Sequence, residues 1–245
     1  MAATAIDKEY LESLLRTRKL DHTLSHWGAD AMTARWLVPT GIADLDARLD
    51  GGFPRGHLSE VVGPRSSGRL AVAVSALAGA TSRGEAVALV DPLDMFDPVS
   101  ASGTGIDFQR MLWIRGEAAS SARVSLSCEY GTLQKSLDRA VKALNIVLQA
   151  GGFGLIVVDL GEVAAQTIKR LPYTTWVRLH RVIEGSETAC VLIGGEPITR
   201  SAGGVTIQMA FGSGLSAVGV NARVIRARKV ESDQHVRVPL SAAAC

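Results

Sequence analysis

The sequence predicts an α/β fold in which a mostly parallel, twisted sheet is flanked by helices. From residue 38 onward, short apolar runs rich in β-branched residues alternate with helix-like segments, which is typical of parallel strands buried on both faces. The last third of the chain has strand-like runs in succession, which favours antiparallel edge strands at the C-terminal end. We therefore expect an N-terminal helical arm and linker over residues 1–37, followed by one core domain over residues 38–245.

Composition and charge are those of an ordinary globular protein. Of the 245 residues, 47% are apolar and 20% are charged, and the net charge of +2 does not by itself indicate a nucleic-acid or membrane partner. The three cysteines, Cys128, Cys190 and Cys245, lack the spacing of a zinc site, so we expect reduced thiols. The N-terminus has no apolar signal core, and the longest nearly apolar run, 70–80, is shorter than the ~20 residues of a membrane helix. These features predict a cytoplasmic protein with no membrane contact.

The first predicted element is a helix over residues 4–19. Leu11, Leu14 and Leu15 fall on one apolar stripe at helical spacing. This stripe either packs on the rest of the chain or docks on a neighbouring protein, and the sequence leaves both possibilities open. Residues 20–37 show no clear period and predict a linker or an edge element.

The core elements follow in regular order, helices with an apolar stripe and strands as short apolar runs. The predicted helices cover residues 40–52, 68–82, 131–152 and 173–184, and the third has its stripe at Leu133, Leu137, Val141, Leu144 and Leu148. The predicted strands cover residues 57–62, 85–91, 110–116, 153–160 and 189–195, with further strand-like runs after Gly203.

The turn after the first core strand has an altered phosphate-loop pattern. The pattern is G-x-x-x-x-G-K-[ST], and here Gly63 and Gly68 are followed by Arg69 and Leu70. Arg69 keeps a positive charge but is bulkier and planar, so it does not replace a compact ammonium. Leu70 offers no oxygen for Mg²⁺. We interpret this turn as a degenerate nucleotide-binding loop, whose candidate residues are Gly63, Ser66, Ser67, Gly68, Arg69 and Leu70.

Four segments resemble, in the same order, those of RecA-type recombinases. They are "TGIADLDARLDGGFPRGHLSEVVGPRSSG", "ALVDPLDMFDPVSA", "FGLIVVDL" and "ACVLIGGEPITRSAGG". The resemblance covers roughly residues 38–230 and implies a RecA-like P-loop core that lacks the RecA C-terminal domain, with Asp159 as the Walker B acid. Within this superfamily the chain resembles the ImuA family, RecA-like accessory proteins of bacterial SOS mutagenesis, in its short length, extra N-terminal helix and degraded site.

The resemblance also implies that two further nucleotide-site residues are replaced. The catalytic glutamate of RecA would stand at Leu93, which cannot orient a water molecule, and the tyrosine that stacks on adenine would stand at Ser100. We therefore expect a pseudo-ATPase with no catalytic residue, no metal site and no ATP or Mg²⁺ as cofactor. The alternative is a weak RecA-type ATPase that acts on single-stranded DNA in repair. Its hydrolysis of ATP would depend on Arg69 and Asp94.

The ImuA resemblance implies an adaptor in error-prone translesion DNA synthesis. Its implied partners are RecA, an inactive Y-family polymerase homologue and an error-prone replicative-type polymerase. The expected partner-binding residues are Leu11, Leu14 and Leu15 on the arm and Arg226 and Arg228 near the end, where RecA filaments place a lysine pair against the neighbour's nucleotide. An exposed edge strand protected by its charges is the other interpretation of the two arginines. A RecA-like regulator of cell division is a third hypothesis, to which no residue points specifically.

Direct DNA binding is expected to be weak or indirect. The two connections that would form the DNA-binding surface of RecA, residues 161–188 and 196–204, are short in comparison with RecA. Cations on them either contact phosphates nonspecifically or form a solvated face: Lys169, Arg170, Arg178, Arg181 and Arg200.

Overall fold

The predicted core strands and helices from residue 40 to residue 195 are present in a computed structural model of the chain, which describes residues 36–116, 130–199, 203–211, 220–227 and 234–238. In these ranges the strands are β1 (Leu37–Val38), β2 (Phe53–Pro54), β3 (Leu58–Val62), β4 (Val87–Asp91), β5 (Met111–Arg115), β6 (Leu155–Asp159), β7 (Ala189–Gly194), β8 (Thr206–Phe211), β9 (Val220–Arg226) and β10 (Gln234–Val238). The helices are α1 (Ala43–Arg48), α2 (Arg69–Ser82), α3 (Pro98–Ser102), α4 (Tyr130–Ala150), α5 (Ala165–Lys169) and α6 (Tyr173–Ile183).

Eight of the described strands form one sheet in the order β10-β9-β8-β3-β7-β6-β4-β5. All pairs from β8 to β5 in this order are parallel, whereas β8–β9 and β9–β10 are antiparallel. The prediction of a mostly parallel sheet with antiparallel strands at its C-terminal end is therefore confirmed. The two-residue strands β1 and β2 pair separately and antiparallel, a feature that the sequence pattern did not indicate.

Both faces of the sheet are buried because successive side chains of a strand point to opposite sides. In β4, Val87 and Leu89 belong to one apolar cluster, and Ala88 and Val90 belong to the other. Helix α2 covers the first face, and α4 and α6 cover the second. This arrangement explains why the central strands are continuous apolar runs rather than alternating ones.

Helix α4 follows the predicted apolar stripe. Leu137, Leu144 and Leu148 are buried in the second cluster, and Leu133 and Val141 pack against it. Across the described part of the chain, none of the helices is both long enough and apolar enough to cross a bilayer. The predicted arm helix over residues 4–19 lies outside the described residues, as do Leu11, Leu14 and Leu15.

Candidate functional site

The degenerate loop forms a tight corner between β3 and α2, and we call residues 63–68 the corner loop. Gly68 has a φ of 81° and Ser66 a φ of 58°, so the backbone takes two left-handed steps here. A Cβ on Gly63 would come within 2.5 Å of the Met209 carbonyl oxygen on the neighbouring β8. Gly68 is therefore required by the left-handed backbone of the turn and Gly63 by the close approach of β8, with or without a phosphate.

Arg69, at the lysine position of the phosphate-loop pattern, is bound by its own chain. Its side chain is only 8% exposed. Nη1 donates a hydrogen bond to the Gly63 carbonyl oxygen. Nη2 donates to the Gly161 carbonyl oxygen at 2.7 Å and to Glu162 Oε1 at 2.8 Å. The guanidinium thus connects the corner loop to the turn that follows β6.

Glu162 is shared between two arginines. Its second oxygen, Oε2, lies 3.0 Å from Nε of Arg65, whose side chain is 78% exposed. The carboxylate therefore neutralises the buried Arg69 and also holds a residue of the corner loop. An incoming phosphate would have to compete with this carboxylate for Arg69, and it would approach a negative charge that is already in place.

Asp159 lies at the carboxyl end of β6, as the resemblance to RecA implied. Its Oδ1 accepts a hydrogen bond from the Gly161 amide at 2.9 Å. Burial raises the pKa of the Asp159 carboxyl above its ordinary value, and nearby Asp91 raises it further, although the Gly161 amide and Arg69 act in the opposite direction. Leu70 packs against the first apolar cluster and supplies no metal-binding oxygen.

The segment after β4 is occupied by structural contacts. Leu93 is buried in the second apolar cluster. Asp94, the proposed substitute for a catalytic glutamate, accepts two hydrogen bonds from Arg115 at 2.7 and 2.8 Å. This pairing holds the pKa of Asp94 below its ordinary value. Arg115 also lies over the Trp113 ring, 4.3 Å from its centroid. The Asp94 carboxylate is therefore committed to the edge strand β5.

The remaining expected site residues are separated in the fold or fall outside the description. Ser100 is exposed on α3 and donates a hydrogen bond to Asp97. Arg226 lies on β9 opposite Thr206 of β8 and is half-buried. Arg228 and Arg200 lie outside the described residues. The Ser67 hydroxyl is fully buried and has no hydrogen-bond partner in the described structure.

Sequence reasoning missed the role of Glu60. This residue lies within β3 and is 1% exposed. Its Oε1 accepts hydrogen bonds from the amides of Ile198 at 2.5 Å and Thr199 at 2.8 Å, and Oε2 accepts one from Thr206 Oγ1 at 3.3 Å. The carboxylate therefore fixes the connection between β7 and β8. A charged residue inside the apolar run "LSEVV" was the available signal.

Comparison with known proteins agrees with this architecture. Residues 22–125 match the RecA N-terminal domain family. RecA of Cutibacterium acnes is 30% identical over 173 residues, which are 69% of this chain and 44% of that protein. RecA of Ruminococcus albus is 31% identical over 160 residues, which are 64% of this chain and 38% of that protein. The chain thus spans less than half the length of these relatives.

The same fold is found among solved structures. The crystal structure of the RadB recombinase matches with a TM-score of 0.58 and 16% identity, covering 85% of this chain and 98% of that one. The chain therefore has the fold of RecA and RadB recombinases, and part of its sequence is similar to RecA.

Proposed function

We propose that the protein is a non-catalytic, cytoplasmic RecA-fold adaptor in SOS-induced, error-prone translesion DNA synthesis, as the resemblance to ImuA implies. Its partners are RecA, an inactive Y-family polymerase homologue and an error-prone replicative-type polymerase, and it needs neither ATP nor Mg²⁺. The main observation in support of this proposal is the ion pair of Arg69. Its Nη2 lies 2.8 Å from Oε1 of Glu162, so the same chain neutralises its charge.

Two further features support a pseudo-ATPase. Leu93 is part of the apolar core at the position where RecA has its catalytic glutamate, and Asp94 is held by Arg115. A working phosphoryl-transfer site needs a free cation for the phosphates, an oxygen ligand for Mg²⁺ and a group that orients water. Arg69, Leu70 and Leu93 each fail one of these requirements.

The alternative is a weak RecA-type ATPase acting on single-stranded DNA. It is favoured by Asp159, which keeps the Walker B position beside the corner loop, and by the retained geometry of that loop. Such an enzyme would show Mg²⁺-dependent ATP hydrolysis that is lost on Asp159→Asn. The adaptor has no such activity to lose.

The adaptor proposal is tested by measuring binding of purified RecA and of the two polymerase proteins in the absence of nucleotide. We expect RecA binding to be abolished by Leu11→Asp/Leu14→Asp, because the charges disrupt the apolar stripe of the arm. The matched control Lys8→Asp/Arg16→Asp alters the polar face of the same predicted helix and should retain binding. The proposal is wrong if none of the three partners binds, or if binding requires ATP.

A further inference from the structure

A cleft of about 300 Å³ opens at the carboxyl ends of β6 and β7, and neither Arg69 nor its partners Gly161 and Glu162 line it. Its walls come from the turn after β6, from α5 and α6, and from the turn after β7. The lining is mainly apolar and includes Val163, Ile168, Leu171, Trp176 and Ile198. A volume at the lower end of the range of binding pockets suits one large side chain better than a cofactor.

The polar groups of the cleft lie at its rim. Nζ of Lys169 is 3.0 Å from Oε2 of Glu196, and these side chains are 70% and 60% exposed. Tyr173 is 62% exposed at the start of α6. An exposed ion pair of this kind contributes little free energy in water. It can therefore open or rearrange at low cost when a ligand approaches.

The wall formed by the turn after β7 is held in place before any ligand arrives. Glu60 accepts hydrogen bonds from the amides of Ile198 and Thr199. On the opposite side, Trp176 is buried in the second apolar cluster, only 5% exposed. A preorganised cleft loses less entropy on binding than a mobile one.

The segment that supplies one side of the cleft is basic, whereas the turn after β7 places Glu196 at the rim. Residues 163–183, which include α5 and α6, contain four Lys and Arg residues and no Asp or Glu. All four are exposed: Lys169, Arg170, Arg178 and Arg181. Such a surface attracts a ligand with negative charges next to its apolar group.

We propose that this cleft binds one large aliphatic or aromatic side chain from an acidic segment of a partner protein. A nucleobase from single-stranded DNA would also come with negative charge. However, the polar edge of the base would be buried against Val163, Ile168 and Ile198. It would lose its hydrogen bonds to water there without gaining partners. The proposal goes beyond the adaptor function, since it does not depend on the corner loop or on ATP.

The test is a selection of displayed random dodecapeptides on the purified full chain, followed by binding measurements with the synthetic peptides. We expect selected peptides to carry one Leu, Phe or Trp beside Asp or Glu. Replacing that anchor by Ala should weaken binding at least about tenfold, as for hot-spot residues. Ala165→Trp, which fills the cleft, should do the same. The matched control Ala164→Trp, at an exposed neighbour that does not line the cleft, should leave binding unchanged.

A second variant keeps the test valid if Ala165→Trp does not fold. Lys169→Glu/Arg170→Glu changes only exposed side chains and should lower the affinity for the acidic peptides about tenfold or more. The proposal is overturned if no peptide is selected, if the selected peptides bind both Trp variants equally, or if they lack acidic residues. It is also overturned if Ala165→Trp abolishes the binding of oligothymidine, because the cleft would then hold a nucleobase.

Discussion

The corner loop and the cleft both follow parallel strands of one sheet, the loop after β3 and the cleft after β6 and β7, yet they differ in the exposure of their cations. At the corner loop, the buried cation Arg69 is neutralised by Glu162 of the same chain. In residues 163–183, which supply one side of the cleft, the four cations are exposed, and Lys169 pairs with the exposed Glu196 at the rim. In open α/β sheets, ligands bind at this edge. Under our two proposals, a ligand binds at the cleft and not at the corner loop.

A buried charged residue holds the wall of the cleft, just as buried Arg69 holds the corner loop. Glu60 is a buried carboxylate that accepts two backbone hydrogen bonds from the wall of the cleft. We expect Glu60→Ala to lower the free energy of unfolding by about 3–4 kcal/mol, because buried amides lose a charged acceptor. Urea denaturation measures this loss.

The matched variant Glu60→Gln retains one acceptor oxygen and nearly the same volume. It should lose about half as much stability as Glu60→Ala, since an uncharged acceptor forms weaker hydrogen bonds. Equal stability of the wild-type protein and both variants would show that Glu60 does not hold the β7–β8 connection.

Two arginines at the corner loop pair with the same carboxylate, Glu162: Arg69 is buried and Arg65 is exposed. Arg69→Met removes a guanidinium that makes three hydrogen bonds in the interior. We expect it to lower the free energy of unfolding by about 2–3 kcal/mol, because the Gly63 and Gly161 carbonyl oxygens and Glu162 lose their donor. Arg65→Met removes the exposed partner and should cost about 0.5 kcal/mol or less.

The contrast between these two variants is measurable by denaturant unfolding under identical conditions. If Arg69→Met is as mild as Arg65→Met, Arg69 is not fixed by its own chain. An arginine that is free to move could still meet a phosphate, and the corner loop would then resemble the cleft rather than differ from it.

The smallest expected effect concerns the ion pair of Asp94 and Arg115. Arg115 lowers the pKa of Asp94 in the folded protein, so the pair adds stability above the ordinary pKa of an aspartate. That stability is lost as the pH falls through the lowered pKa. We therefore expect Arg115→Gln to reduce thermal stability slightly at neutral pH and to match the wild-type protein in strong acid. A pKa of Asp94 that NMR titration finds unchanged in Arg115→Gln would contradict the pairing.

The fold could be predicted from the sequence where burial imposes a continuous apolar run. Strands β3, β4 and β6 were predicted to within a few residues because both of their faces are covered. The two-residue strands β1 and β2 and the short helix α5 were not individually predicted, since elements so short have too few residues to show a period.

The site could be predicted only in part. The altered identities at Arg69, Leu70 and Leu93 are visible in the sequence. The contact between Arg69 and Glu162 is not, because 93 residues separate them and only the pairing of β3, β7 and β6 brings their turns together. The role of Glu60 was hidden for the same reason, as its backbone partners lie 138 and 139 residues away.

The most direct test of the account is calorimetric titration of the purified protein with ATP and Mg²⁺, alongside Arg69→Lys/Leu70→Thr, which restores the phosphate-loop residues. The account predicts no saturable heat for the wild-type protein even at millimolar ATP, because Glu162 already occupies the guanidinium of Arg69. Saturable binding by the wild-type protein, abolished by Asp159→Asn, would contradict it and would favour the RecA-type ATPase.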